Sequence, residues 1–151
     1  MTAKPHAFFE DFAVGDRWTT GGHTLTEAAI VDFAFRYDPQ PFHIDLEAAQ
    51  ESIYGGLIAS GFHTLSVCFR LVWQTGVLSN NIGGRGLDML RWPRAVRPGD
   101  TLHVEVEVLA AERSSRPDRG NLRLRYTGIN QRGETVLVAE LLHVVRCREP
   151  G

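Results

Sequence analysis

SGFHTLSVCFRLVWQTGVL, residues 60–78, is the stretch on which the fold turns. Phe62, Leu65, Val67, Cys68, Phe69, Leu71, Val72 and Trp73 leave almost no polar face, and Arg70 is its only charge. A helix apolar nearly all round is enclosed by protein on most sides. Ser60 suits the N-cap position, which places Gly61 in the first turn. His63, Arg70, Gln74 and several glycines and hydroxyls interrupt the run, so it falls short of the roughly 18 uninterrupted apolar residues of a membrane span. The rest of the chain must therefore supply the cover.

From Leu87 onward the apolar period changes to two. Leu102, Val104, Val106 and Val108 alternate with His103, Glu105 and Glu107, and Leu122, Leu124 and Tyr126 alternate with Arg123 and Arg125. Such strands carry one apolar face and one solvated face, with acids on one strand and arginines on another as antiparallel partners. Arg97-Pro98-Gly99-Asp100 and Gln131-Arg132-Gly133-Glu134 are turn signals, and Ser114–Gly120 reads as a polar loop. Val136 to Val145 is apolar on both faces, which predicts a central strand. Upstream, a strand is expected around Asp16–Thr24. Thr26 would then cap a helix running to about Tyr37, with Ile30, Phe33, Ala34 and Tyr37 on its buried face. Asp38 precedes Pro39, which should end that helix, and Asp45 suits the cap of a short helix through Glu51. Helices first and strands afterwards predict an α+β fold, with one antiparallel sheet wrapped around one long central helix.

A chain of 151 residues suits a single domain spanning 1–151. With 43% hydrophobic and 23% charged residues it reads as globular, and a formal net charge of −2 argues against a nucleic-acid platform. The N-terminal residues lack a signal-peptide apolar core. Cys68 and Cys147 have neither CxxC spacing nor a disulfide-rich setting, and Cys68 within the apolar helix reads as a small buried hydrophobe in a reducing cytosol. Clustered His/Cys ligands for a metal are lacking.

Chemistry is concentrated in Asp38-Pro39-Gln40-Pro41-Phe42-His43 and in Gly61. An acid and a base five apart on a proline-stiffened loop can aim at one atom. A glycine opening a buried helix can offer a bare N–H to a developing negative charge, because first-turn amides lack intrahelical partners. Each residue also has a plain structural reading: Asp38 as a helix terminator, His43 as a surface loop residue, Gly61 as a packing glycine. Ser60, His63 and Tyr37 are candidates to line a pocket but read rather as core or capping residues, His103 reads as solvated, and Arg91, Arg94 and Arg97 suit phosphate recognition but read rather as surface charges.

The loop Asp38-Pro39-Gln40-Pro41-Phe42-His43-Ile44-Asp45 resembles the D-x-N-P-x-H signature of the MaoC-like dehydratases, the (R)-specific enoyl-CoA hydratase family. Gly55-Gly56-Leu57-Ile58-Ala59-Ser60-Gly61 resembles the family's approach to its central helix, and Arg97-Pro98-Gly99-Asp100-Thr101-Leu102 its strand opening. The likeness runs from about Phe9 to the last strand. Gln40 replaces the usual Asn, and Ser60 stands where many relatives have His. The resemblance implies a hot-dog fold, a homodimer or higher homo-oligomer, and reversible addition of water to a trans-2-enoyl-CoA. In that chemistry Asp38 and His43 are the acid/base pair and the Gly61 N–H is the oxyanion donor. CoA then enters as part of the substrate, with no bound cofactor and no metal. A hot-dog thioesterase and a non-catalytic acyl-CoA binding module are the competing readings, since fold alone does not separate them.

Overall fold

In the structure of the chain, a computed structural model that describes residues 3–149, residues 60–78 do form the central helix, α4 (Gly61–Gln74), with Ser60 as its N-cap. It stops short of Leu78 because the chain reverses at Gly76, whose φ of +75° suits glycine. The sheet against it contains β1 (Arg17–Thr19), β3 (Asn81–Arg91), β4 (Thr101–Arg113), β5 (Arg119–Ile129) and β6 (Thr135–Arg146), in the order β1-β4-β5-β6-β3. All neighbours are antiparallel, and β2 (His23–Thr24) pairs with the start of β4. The strand expected around Asp16–Thr24 is thus two short pieces.

Along β4 and β5 burial alternates as expected. Leu102, Val104, Val106, Val108, Leu122, Leu124 and Tyr126 are buried in one cluster with Val67, Cys68, Leu71 and Val72 of α4. Gly128 lies where a Cβ would come within 2.9 Å of the Cys68 sulfur, so the helix rests close on β5 at that point. The opposite face is a charge ladder. The register sets Arg17 opposite Glu107, Glu107 opposite Arg125, and Arg125 opposite Glu140, with Arg17 paired to Glu107 and Arg123 bonded to Asp88 at 2.6 Å. β6 occupies the interior position expected of it, but its outer face is only half-buried, at Val138, Glu140, Leu142 and Val144. His103 is likewise half-buried rather than solvated.

Under α4 the sheet holds one polar chain. The Tyr126 hydroxyl lies 2.9 Å from His143 Nε2, and His143 Nδ1 lies 3.1 Å from Asn81 Oδ1. The Phe69 ring is stacked on the same imidazole. Burial pushes the His143 pKa down to about 4 and raises that of Tyr126.

Three short helices build the near side of the molecule. Helix α1 (Glu27–Tyr37) is capped by Thr26, whose hydroxyl accepts from the Ala29 N–H. Ile30 and Ala34 are buried, but Tyr37 is 71% exposed and Phe33 half-buried, so the expected apolar face closes a turn early. Helix α3 (Leu46–Glu51) is capped by Asp45 as expected, while α2 (Pro41–Ile44) lies in what the sequence presents as loop. Proline at its first position needs no hydrogen-bond partner and presets φ.

Two further expectations are corrected. The α4 helix is covered on less of its surface than the expected most sides: Phe62, Phe69 and Trp73 are about half exposed on its outer side. And β3 begins at Asn81, not near Leu87; Gly83, Gly84 and Gly86 with three register shifts mask its pattern.

Candidate active site

Asp38 caps the C-terminus of α1, its N–H donating to the Ala34 carbonyl at 2.8 Å. Pro39 then turns the chain into α2, whose last turn carries His43. The two side chains meet, with Asp38 Oδ2 3.3 Å from His43 Nε2 and both largely buried. The other ring nitrogen, Nδ1, lies 2.7 Å from the Ile58 carbonyl oxygen. A carbonyl only accepts, so Nδ1 carries a proton and Nε2 is the atom turned toward Asp38.

The carboxylate is held at both oxygens. Gln40 Nε2 donates to Oδ1 at 2.7 Å, and the Ser60 hydroxyl donates to Oδ2 at 2.6 Å. Gln40, with one methylene more than the usual Asn, therefore still brings its amide to the carboxylate. Burial pushes the Asp38 pKa up, but the Ser60 and Gln40 hydrogen bonds and the adjacent His43 outweigh it and leave the group below its ordinary value.

Gly61 is the first residue of α4. Ser60 Oγ accepts from the Phe62 N–H at 3.2 Å, so the cap side chain serves the second helical amide rather than that of Gly61. Over this turn lies Trp92, whose indole N–H donates to the Gly61 carbonyl at 2.9 Å. A Cβ at position 61 would run into the indole ring, so only glycine fits beneath it. Phe62 meets the same ring edge-on at 5.8 Å. The Ile58–Ala59 strip is pinned on both sides, by Ile58 N–H to the Phe42 carbonyl and Ala59 N–H to the Val96 carbonyl.

Together these elements enclose a cavity of about 310 Å³. Asp38, His43 and Gly61 all line it, along with Phe42, Tyr54, Trp92 and Arg94. Of the remaining sequence candidates, Ser60 is fully buried behind the pair, and Tyr37 points into solvent. His63 is stacked on Phe33 at 4.7 Å with its Nδ1 unpartnered, away from the cavity. Arg97 donates to the Tyr54 carbonyl at 2.6 Å. Arg94 is mostly exposed at the cavity wall, 3.3 Å from Glu134. Sequence reasoning missed Trp92 and Tyr54 as wall residues and undervalued Ser60; only the adjacency of Ser60 to Gly61 signalled it. Among the described residues, no group of three His, Cys, Asp or Glu side chains is placed to hold a metal, and no helix is long and apolar enough to cross a membrane.

An antiparallel sheet laid over one long helix places the chain in the hot-dog fold class. Residues 12–130 match the family described as "MaoC like domain", and the chain belongs to that family. The crystal structure of the MaoC-like dehydratase from Rhodospirillum rubrum is similar at a TM-score of 0.89 with 47% identity, covering 95% of this chain and 99% of that one. An uncharacterised Bacillus subtilis protein, YdeM, is 30% identical over 91% of this chain and 97% of its own length. The mesaconyl-CoA hydratase of Cereibacter sphaeroides is 29% identical over 99% of this chain, which spans only 44% of that longer protein.

Proposed function

We propose that the chain reversibly adds water to a trans-2-enoyl-CoA or a related acyl thioester, with Asp38 and His43 as the proton-transfer pair and the Gly61 N–H as oxyanion donor. The observation that carries this reading is the 3.3 Å Asp38–His43 pair facing a cavity whose wall includes the first turn of α4. Water attacks the β-carbon, and the π electrons move onto the thioester oxygen as an enolate. A backbone N–H at the positive end of a helix dipole stabilises that oxygen as its charge grows. One member of the pair takes a proton from the attacking water, and the other returns one to the α-carbon. A proton transfer across the pair then restores the starting state, so one water is consumed and no other reactant is needed. The hydratase name of the Cereibacter relative and the dehydratase name of the Rhodospirillum one support this class of reaction.

The same reading includes a homodimer or higher homo-oligomer in the cytosol. One edge of β3 is unpaired among the described residues, and the outer side of α4 next to it exposes Phe62, Phe69 and Trp73. Open strand edges and apolar patches of this kind are normally covered. Two free, buried cysteines fit a reducing compartment.

A panel of enoyl-CoAs tests the function, with enoyl absorbance and free thiol followed together. Loss of absorbance without thiol release is expected. Thiol release at the same rate would make the chain a thioesterase, and neither signal on any substrate would make it a binding module. A monomeric mass by light scattering at micromolar concentration would overturn the assembly.

A further inference from the structure

We propose that Ser60 is the positioning residue of the Asp38–His43 pair, holding the carboxylate through its hydroxyl and tying the pair to the first turn of α4. Ser60 is fully buried, and nothing in helix capping requires its hydroxyl hydrogen. As N-cap, its oxygen accepts from the Phe62 N–H at 3.2 Å. The hydrogen on the same oxygen is free to point elsewhere, and it points at Asp38 Oδ2, 2.6 Å away. That is the oxygen nearest His43 Nε2. A hydroxyl donating to a carboxylate at this length is a strong, charge-assisted contact.

One atom thus joins two parts of the proposed chemistry. The carboxylate cannot rotate about its last torsion without breaking the Ser60 or the Gln40 bond. The start of α4, and with it Gly61, cannot shift without dragging on the carboxylate. Proton transfer and oxyanion stabilisation then keep a fixed spacing, and ångström-scale misplacement of such groups is costly. Ser60 does this without lining the cavity, so it acts through Asp38 rather than on substrate. The other ionisable groups lining the same cavity are His43, 3.3 Å from Asp38, and Tyr54 and Arg94.

Three variants separate this role from capping. Ser60→Ala and Ser60→Gly each remove both side-chain hydrogen bonds, but glycine is tolerated at N-caps at little cost to the helix, and Ser60→Thr keeps both bonds. Titration of the Asp38 carboxyl by carbon NMR reads the effect without any substrate. The Ala and Gly variants are expected to titrate at higher pH than wild type, because burial is then less fully opposed, and Thr close to wild type. The kinetic arm rests on the hydratase reading: kcat on the best enoyl-CoA should fall about 10- to 100-fold in Ala and Gly with KM little changed, and Thr should restore it. An unshifted Asp38 titration in Ser60→Gly, or equal losses in all three variants, would overturn the proposal. If wild type hydrates no enoyl-CoA, the hydratase reading fails, and the carboxyl titration still decides the role of Ser60.

Discussion

Asp38 ends α1, accepts two side-chain hydrogen bonds and faces His43, so substitution there separates shape from charge. Asp38→Asn keeps the volume and one acceptor oxygen, and the Ser60 hydroxyl can turn to accept from the new amide. Its fold should survive while kcat falls by about 10²–10⁴-fold, the effect of removing a positioned acid or base. His43→Gln should do the same, since its amide can still donate to the Ile58 carbonyl. The double variant should lose little more than either single, because both groups serve one transition state. Steady-state kinetics on the same enoyl-CoA checks all three. A variant within a few-fold of wild type would remove that residue from the proton-transfer scheme.

The start of α4 makes the same case for an element. Gly61→Ala forces a methyl into the Trp92 ring, and overpacking of this kind costs roughly 1–3 kcal/mol. It should also swing the Gly61 amide, so both denaturation midpoint and kcat should drop. Adding Trp92→Ala should recover most of the midpoint, and the stability effects should be clearly non-additive by double-mutant cycle. Legibility in the sequence follows the same division. Caps at Thr26, Asp45 and Ser60 and the alternating strands β4 and β5 were readable because they depend on neighbours a few residues away. Asp38 and His43 were readable because one stiff loop holds both. Trp92 was not, because the end of β3 brings it to Gly61 from 31 positions along the chain. The start of β3 was hidden by its glycines, which carry no side chain to show a period. Tyr37 misled because helical spacing says which residues share a face and not where the neighbouring elements end.

Across the whole molecule, acid should be resisted unevenly. His143 is held neutral to about 4 by burial, while an unfolded chain takes up that proton near 6.5. Between those values the unfolded state binds more protons, so stability falls as pH falls, by up to about 1.4 kcal/mol per pH unit from this group. His63, also depressed by burial, acts with the same sign. The depressed Asp38 contributes stability that is lost only below its ordinary value of 3.8, outside this window. His143→Gln, which can still accept from Tyr126 and donate to Asn81, should flatten the slope of urea midpoint against pH between about 6.5 and 4; an unchanged slope would reassign it. The three tryptophans, finally, have sorted themselves into separate optical channels. Trp18 is buried beside Phe12 on β1, Trp73 sits half exposed on the open side of α4, and Trp92 roofs the cavity. In single-tryptophan variants, emission from Trp92 should respond to an acyl thioester, that from Trp73 to dilution, and that from Trp18 to denaturant alone. Three single-tryptophan variants would then read the proposed occupancy and the proposed assembly separately from folding.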